Sequence, residues 1–267
     1  VIQLDTENEY FQSYASLVTH DGLGNPLDLP SGVRYYFMSD AQHTSGSPST
    51  KGICDQPTNP LNYNPFMRAS LVALDRWVTT GAAAPPSQYP RADDGTAVSP
   101  QQWRDTYPRI PGVQLGVPNE LSIRDYGPGV TPAGGIITTS PGSELASSSY
   151  TILVPRTDAD GLDLAGLQRP DDVQTPIATL NGWNVRGSGF RAGDLCGLNG
   201  QYVPFEATEV ERRAMGDPRP SLEERYSTHE DYVGRVTIAA MDMAANGYLL
   251  AEDVDRILLA ATDAPVP

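Results

Sequence analysis

The sequence predicts an α/β protein in two parts. Residues 1–82 form the C-terminal portion of a parallel-sheet core, with its last two strands and a terminal helix, and residues 83–267 form a loop-rich α+β extension. Two apolar runs in the first part each end in a polar loop, and a helical apolar pattern follows them. The chain also has 25 glycines and 24 prolines in 267 residues, above the usual ~12% for the two together, which predicts many turns.

The core elements follow from local patterns. Val33–Met38 is dense in β-branched and aromatic residues, which favours a strand. Met67, Leu71, Leu74 and Val78 recur at helical spacing. The predicted order is a strand Val1–Thr6, an acidic loop Glu7-Asn8-Glu9, a short helix Phe11–Val18, a strand Val33–Met38, a histidine-containing loop and a helix Pro65–Thr80 capped by Asn64 and stopped by Gly81.

The extension has weaker signals. Ala82–Ser149 is rich in Pro, Gly and polar residues, so we expect loops packed on a scaffold. The elements expected after it are strands at Tyr150–Pro155 and Ile177–Leu180, a short helix capped by Ser221, a helix from the Thr228 cap to about Ala245 and a last helix from about Ala251 to Ala261.

Composition excludes several functional classes. The chain has 18 basic and 33 acidic side chains, a net charge of −15 and a pI near 4.4, which argues against nucleic-acid partners and anionic membrane surfaces. No apolar run approaches the ~18 residues of a spanning helix. We expect no cofactor, because no dinucleotide fingerprint occurs, and no metal ligands. Cys54 and Cys196 fit either a disulfide or two buried thiols, so localisation stays open, with export favoured.

A carboxylate and a histidine follow the two predicted core strands. Glu9 and His43 are 34 residues apart, about one crossover unit, and parallel strands present their C-terminal ends along one edge. Such a pair holds an imidazole in one tautomer so that it takes a proton from a nucleophile. The alternative is that Glu9 is an ordinary loop carboxylate and His43 a hydrogen-bonded surface residue.

The order of acid and then histidine is that of a serine hydrolase of the α/β-hydrolase fold. Five segments together resemble a family of bacterial α/β-hydrolase-domain proteins of poorly defined substrate, from Val1 almost to Ala260. The resemblance implies that His43 is the triad base and that the acid lies in the Thr6–Glu9 segment, with Glu9 favoured over Glu7 because the acid typically sits about three residues past the strand end. The segments are RYYFMSDAQHTSG, NPLNYNPFMRASLVALDRWVTTG, VPRTDADGLDLAG, TLNGWNVRG and DPRPSLEERYSTHEDYVGRV.

The chain departs from that family in lacking G-x-S-x-G, the motif that carries the nucleophile. Ser188 comes closest, but Arg186 stands where the first glycine belongs. We therefore expect a fragment or processed product, the C-terminal part of an esterase-like serine hydrolase of small-molecule esters. It would be inactive until upstream polypeptide, or a second chain, supplies the serine. The alternative is a non-catalytic module that pairs with another chain.

Four further features have ordinary structural interpretations. The three aspartates of Asp158–Asp163 suggest calcium, but the EF-hand pattern fails and an Asx-type turn is favoured. Trp183 is expected in the core rather than beside a cleft. His20 and His229 are expected on the surface.

Overall fold

The computed structural model describes residues 1–131 and 134–267. Its helices are α1 Glu7–Gln12, α2 Asn64–Thr80, α3 Pro100–Thr106, α4 Glu209–Met215, α5 Leu222–Arg225, α6 His229–Ala245 and α7 Ala251–Thr262. Its strands are β1 Ile2–Thr6, β2 Arg34–Met38, β3 Ala97–Val98, β4 Ser122–Asp125, β5 Val130–Thr131, β6 Gly134–Gly135, β7 Ser143–Ser149, β8 Val154–Pro155, β9 Ala178–Asn181 and β10 Gln201–Pro204. Within these ranges no helix is both long and apolar enough to cross a membrane.

The two core strands pair in parallel, as predicted. Ile2 lies opposite Arg34 and Thr6 opposite Met38, so β1 and β2 end side by side. The other edge of β2 forms bridges with Gln88 and the segment at Leu167. Every other strand pair among the described residues is short and antiparallel: β3 with β8, β4 with β7, β5 with β6, and β9 with β10. The extension is thus a set of separate ribbons.

The segment after β1 is a helix, which corrects the predicted acidic loop. Glu7–Gln12 forms α1, with Thr6 in an extended conformation at its N-cap and Glu9 three residues later. This is the capping-box spacing, and acidic residues in a first turn also suit the helix dipole. The predicted helix Phe11–Val18 is divided at Tyr14, whose φ is +63°. Only a 3₁₀ turn, Ala15–Val18, follows it.

Helix α2 forms over the predicted range, but the face that it buries differs from the predicted apolar stripe. Its buried residues are Pro65, Phe66, Ala69 and Ser70. Leu71 and Val78 of the expected apolar stripe are 66% and 78% exposed. Tyr63 rather than Asn64 occupies the N-cap, and Gly81 ends the helix in the left-handed region with φ +78°.

The C-terminal helices agree with the sequence-based prediction more closely than the predicted strand Tyr150–Pro155 does. Helices α6 and α7 form as predicted, and Thr228 caps α6 through the Asp231 N–H. The expected strand Tyr150–Pro155 is reduced to β8, because only Val154 and Pro155 find a partner strand, in β3.

Two apolar clusters hold the chain together, and both contain residues from either side of residue 82. One packs α6 and α7 against β2. The other is aromatic, and its Trp183 is fully buried, as predicted, with its ring stacked 5.6 Å from that of Phe11. The largest members of this second cluster are Tyr10, Phe11, Tyr35, Phe37, Trp103, Tyr107 and Trp183.

A disulfide joins Cys54 to Cys196, with Cα atoms 5.6 Å apart. It answers the question that the sequence left open. It ties the loop beyond His43 to the segment between β9 and β10.

Candidate active site

His43 and Glu9 are in direct contact at the C-terminal edge of β1 and β2. His43 Nδ1 lies 2.5 Å from Glu9 Oε1. A carboxylate only accepts hydrogen bonds, so Nδ1 carries the proton and donates it. The His43 side chain is 49% exposed and that of Glu9 is 17% exposed. The pair is therefore partly shielded on the acid side and open to solvent on the imidazole side.

The backbone that carries Glu9 also orients its carboxylate. Glu9 Oε2 accepts a hydrogen bond from the Thr6 backbone N–H at 2.7 Å and another from the Thr6 hydroxyl. The other oxygen, Oε1, is left for His43. One carboxylate thus caps α1 and orients the imidazole.

The loop that carries His43 is anchored to three other segments. Asn8 N donates to Ala41 O at 3.3 Å, and Gly200 N donates to the Gln42 side-chain oxygen at 2.6 Å. The Tyr63 hydroxyl donates to the His43 carbonyl oxygen. Sequence reasoning missed Tyr63, whose only signal was its position just before α2.

Glu7 lies elsewhere, although it is two residues from Glu9. It is fully buried, and its Oε2 accepts a hydrogen bond from Gly182 N at 2.5 Å. Burial raises its pKa well above the ordinary value, and the nearby Asp163 carboxyl raises it further. Of the two acids considered, Glu9 is the one that contacts His43.

The remaining candidates have structural surroundings. Asp158 accepts hydrogen bonds from the N–H groups of Asp160 and Leu162, so the expected Asx-type turn is present. His20 is 1% exposed, and the expectation that it lies on the surface was wrong. It is held by Ser16 O and Ala92 N, partners that a Gly/Pro-rich local sequence does not reveal. His229 is partly exposed and lies within 3.2 Å of Thr262 O and Val266 O.

The arrangement of His43 and Glu9 allows the imidazole to accept a proton. With its proton on Nδ1, His43 has a free lone pair on Nε2, and Nε2 makes no hydrogen bond to the part of the chain that the structure describes. An imidazole in this state accepts a proton from a hydroxyl or water, and the Glu9 carboxylate stabilises the imidazolium that results.

An acid and a histidine that follow neighbouring strands also occur in the α/β-hydrolase fold, whose triad runs Ser, Asp/Glu, His. A family model described as "Alpha/beta hydrolase domain" matches residues 1–259, so the chain belongs to that family. No curated protein matches the chain. No solved structure matches it either.

Proposed function

We propose that the protein is a serine hydrolase of small-molecule esters in which His43 is the general base and Glu9 its orienting acid. The observation that carries this proposal is the 2.5 Å contact between His43 Nδ1 and Glu9 Oε1 at the edge where β1 and β2 end. His43 takes the proton of the nucleophile and later gives it to the leaving alcohol. Membership of the Alpha/beta hydrolase domain family supports the hydrolase class.

The nucleophile of this proposal is a serine outside residues 1–267. No G-x-S-x-G motif occurs in the chain, and the elbow that bears such a serine also supplies an oxyanion-hole amide. We propose that upstream polypeptide, or a second chain, brings this elbow to His43 Nε2.

Two surfaces support the proposal that another polypeptide packs against this part of the protein. Strand β1 pairs only with β2 among the described residues, so its outer edge offers free backbone groups to another strand. Helix α2 exposes an apolar face that includes Leu71 and Val78. Solvent exposure of such a face is unfavourable, and an additional sheet strand or helix would cover it.

The test uses the protein with its complete coding sequence. We expect His43→Ala and Glu9→Gln each to lower kcat for a nitrophenyl ester by about 10²–10⁴-fold, because each removes part of the proton-transfer apparatus. Glu9→Gln keeps a side chain that caps α1, so the loss is one of charge. The matched control is His229→Ala, which removes an imidazole that lies against Thr262 O and Val266 O and should leave kcat unchanged.

A fluorophosphonate probe identifies the nucleophile directly. The expected result is one labelled serine, found by peptide mass spectrometry, whose labelling rate falls in His43→Ala. An unchanged ester hydrolysis rate in His43→Ala overturns the assignment of the base. Absence of any labelled serine overturns the hydrolase and favours the association module that the open β1 edge allows.

A further inference from the structure

Three carboxyl groups meet in the interior, and two of them lie on the segments that carry the Glu9–His43 pair. They belong to Glu7 in the first turn of α1, Asp40 in the loop after β2, and Asp163 at the end of the Asp158 turn. Their exposed fractions are 0%, 0% and 1%. One side-chain oxygen from each residue lies within 4.8 Å of the others. We define these three residues as the buried carboxylate cluster.

Each member has one satisfied oxygen and one that is unsatisfied. Asp40 N donates to Asp163 Oδ2 and Asp163 N donates to Asp40 Oδ1, both at 2.9 Å, while Gly182 N donates to Glu7 Oε2. The second oxygens, Glu7 Oε1, Asp40 Oδ2 and Asp163 Oδ1, have no hydrogen-bond partner in residues 1–131 and 134–267. A buried carboxylate oxygen without a partner is strongly unfavourable, because it has lost the hydrogen bonds that water would give it.

The cluster also lacks a neutralising side chain within the part of the chain that the structure describes. None of the ion pairs among the described residues includes any of its three members. Burial raises the pKa of Glu7 and of Asp40 well above the ordinary values, and it raises the pKa of Asp163 to about 8. Three negative charges at this spacing repel one another, so the ionised cluster needs a positive partner.

We propose that Glu7, Asp40 and Asp163 bind a Ca²⁺ ion. The donors are all oxygen and all anionic, which is the preference of hard cations, and no thiolate or imidazole is among them. Ca²⁺ accepts six to eight oxygens in irregular arrangements, whereas Mg²⁺ demands an octahedron and keeps several waters. A fully buried cluster with three unsatisfied carboxylate oxygens therefore fits Ca²⁺ better.

Such an ion ties together the segments that carry the candidate catalytic pair. Glu7 precedes Glu9 by two residues on the same helical turn, and Asp40 precedes His43 by three residues in the same loop. Asp163 comes from the extension, 123 residues from Asp40 in sequence. The ion thus positions α1 and the His43 loop without touching substrate.

The test measures binding and stability and does not depend on activity. Tb³⁺ is used as a luminescent probe for the Ca²⁺ site, because a nearby indole sensitises bound Tb³⁺. Trp183 directly follows Gly182, whose N–H donates to Glu7 Oε2. In chelator-treated wild-type protein we expect sensitised emission that saturates at one equivalent and is displaced by CaCl₂. CaCl₂ should also raise the melting temperature, and elemental analysis should find calcium in the protein as purified.

Variants test whether Tb³⁺ binds to the buried carboxylate cluster or to other acidic groups of the protein. Glu7→Gln and Asp163→Asn should each weaken Tb³⁺ binding at least tenfold, since each removes one charged ligand. Asp75→Asn removes an exposed carboxylate on α2 and should leave binding unchanged. If either cluster variant fails to fold, the wild-type measurements with and without CaCl₂ still decide the question.

Two results would overturn the proposal. One is chelator-treated protein whose melting temperature is unaffected by CaCl₂ and that gives no sensitised Tb³⁺ emission, which would mean that protons neutralise the cluster. The other is displacement of Tb³⁺ by MgCl₂ as readily as by CaCl₂, which would reject calcium as the ion. Neither result bears on the serine hydrolase, because neither involves ester turnover.

Discussion

Glu7 and Glu9 show how much two residues of helix change the chemistry of the same carboxyl group. Glu9 Oε1 reaches the half-exposed His43 and its Oε2 caps α1. Glu7 points into the interior, where burial and Asp163 raise its pKa. A positional rule counted from the strand end favours Glu9, but the environments of the two side chains depend on contacts with residues far along the chain.

His20 gives a pH prediction at the same scale. Burial lowers its pKa below the ordinary value of 6.5, and Nε2 accepts a hydrogen bond from Ala92 N, which requires the neutral ring. The unfolded chain therefore binds a proton at His20 at a higher pH than the folded chain does. The stability that His20 contributes is present above about pH 6.5 and is lost as the pH falls through its folded pKa.

Urea unfolding of wild type and His20→Gln between about pH 7 and pH 5 measures this contribution. The free energy of unfolding should fall more steeply with decreasing pH in the wild type. The difference in slope should be at most that expected when unfolding binds one additional proton. Equal slopes in the two proteins would show that His20 does not titrate differently on folding.

At the scale of the element, the start of α1 couples helix stability to the candidate site. Removing the Thr6 hydroxyl removes one donor to Glu9 Oε2. We expect Thr6→Val to cost about 1 kcal/mol of unfolding free energy, the usual size of a lost cap. Thr6→Ser keeps the hydroxyl and is the matched control.

The same two variants test whether the Thr6 hydroxyl also helps to orient the Glu9–His43 pair. Since Thr6 holds the carboxylate that orients His43, Thr6→Val should also lower kcat in the ester assay, and Thr6→Ser should retain most of it. A Thr6→Val protein with full turnover would show that the Thr6 hydroxyl is not needed to orient Glu9.

For the whole molecule, the Cys54–Cys196 disulfide is the strongest single constraint. It closes a loop with a sequence separation of 142 residues, and chain-entropy models assign such a loop about 4–5 kcal/mol. We expect reduction, or the double variant Cys54→Ala/Cys196→Ala, to lower the urea midpoint accordingly. Oxidised and reduced protein with the same midpoint would contradict this.

The Cys54–Cys196 disulfide also leads us to predict that the protein is exported, because such bonds persist in oxidising compartments. Alkylation of the protein as isolated, followed by mass measurement, checks it. Two alkylated thiols would argue against export.

The elements that sequence reasoning predicted well are those with a strong local signal. The helices α2, α6 and α7 are long and periodic, and β1 and β2 are short apolar runs between polar loops. Several strands of the extension were harder to predict because they are only two residues long, and β3 forms only through pairing with β8, from Ala97 to Pro155. His20 was misplaced because its tertiary contacts have no local signal, such as the hydrogen bond from Ala92 N, 72 positions away.

The sequence by itself predicted that an acid and a histidine could meet, because parallel neighbouring strands bring the residues after them to one edge. Only the tertiary structure decided that Glu9 contacts His43 while Glu7 joins Asp40 and Asp163. A helical turn points residues two positions apart in different directions, and the Asp163 turn arrives from more than a hundred residues away. Neither the direction of a carboxyl group nor a contact of that range has a local pattern in the sequence.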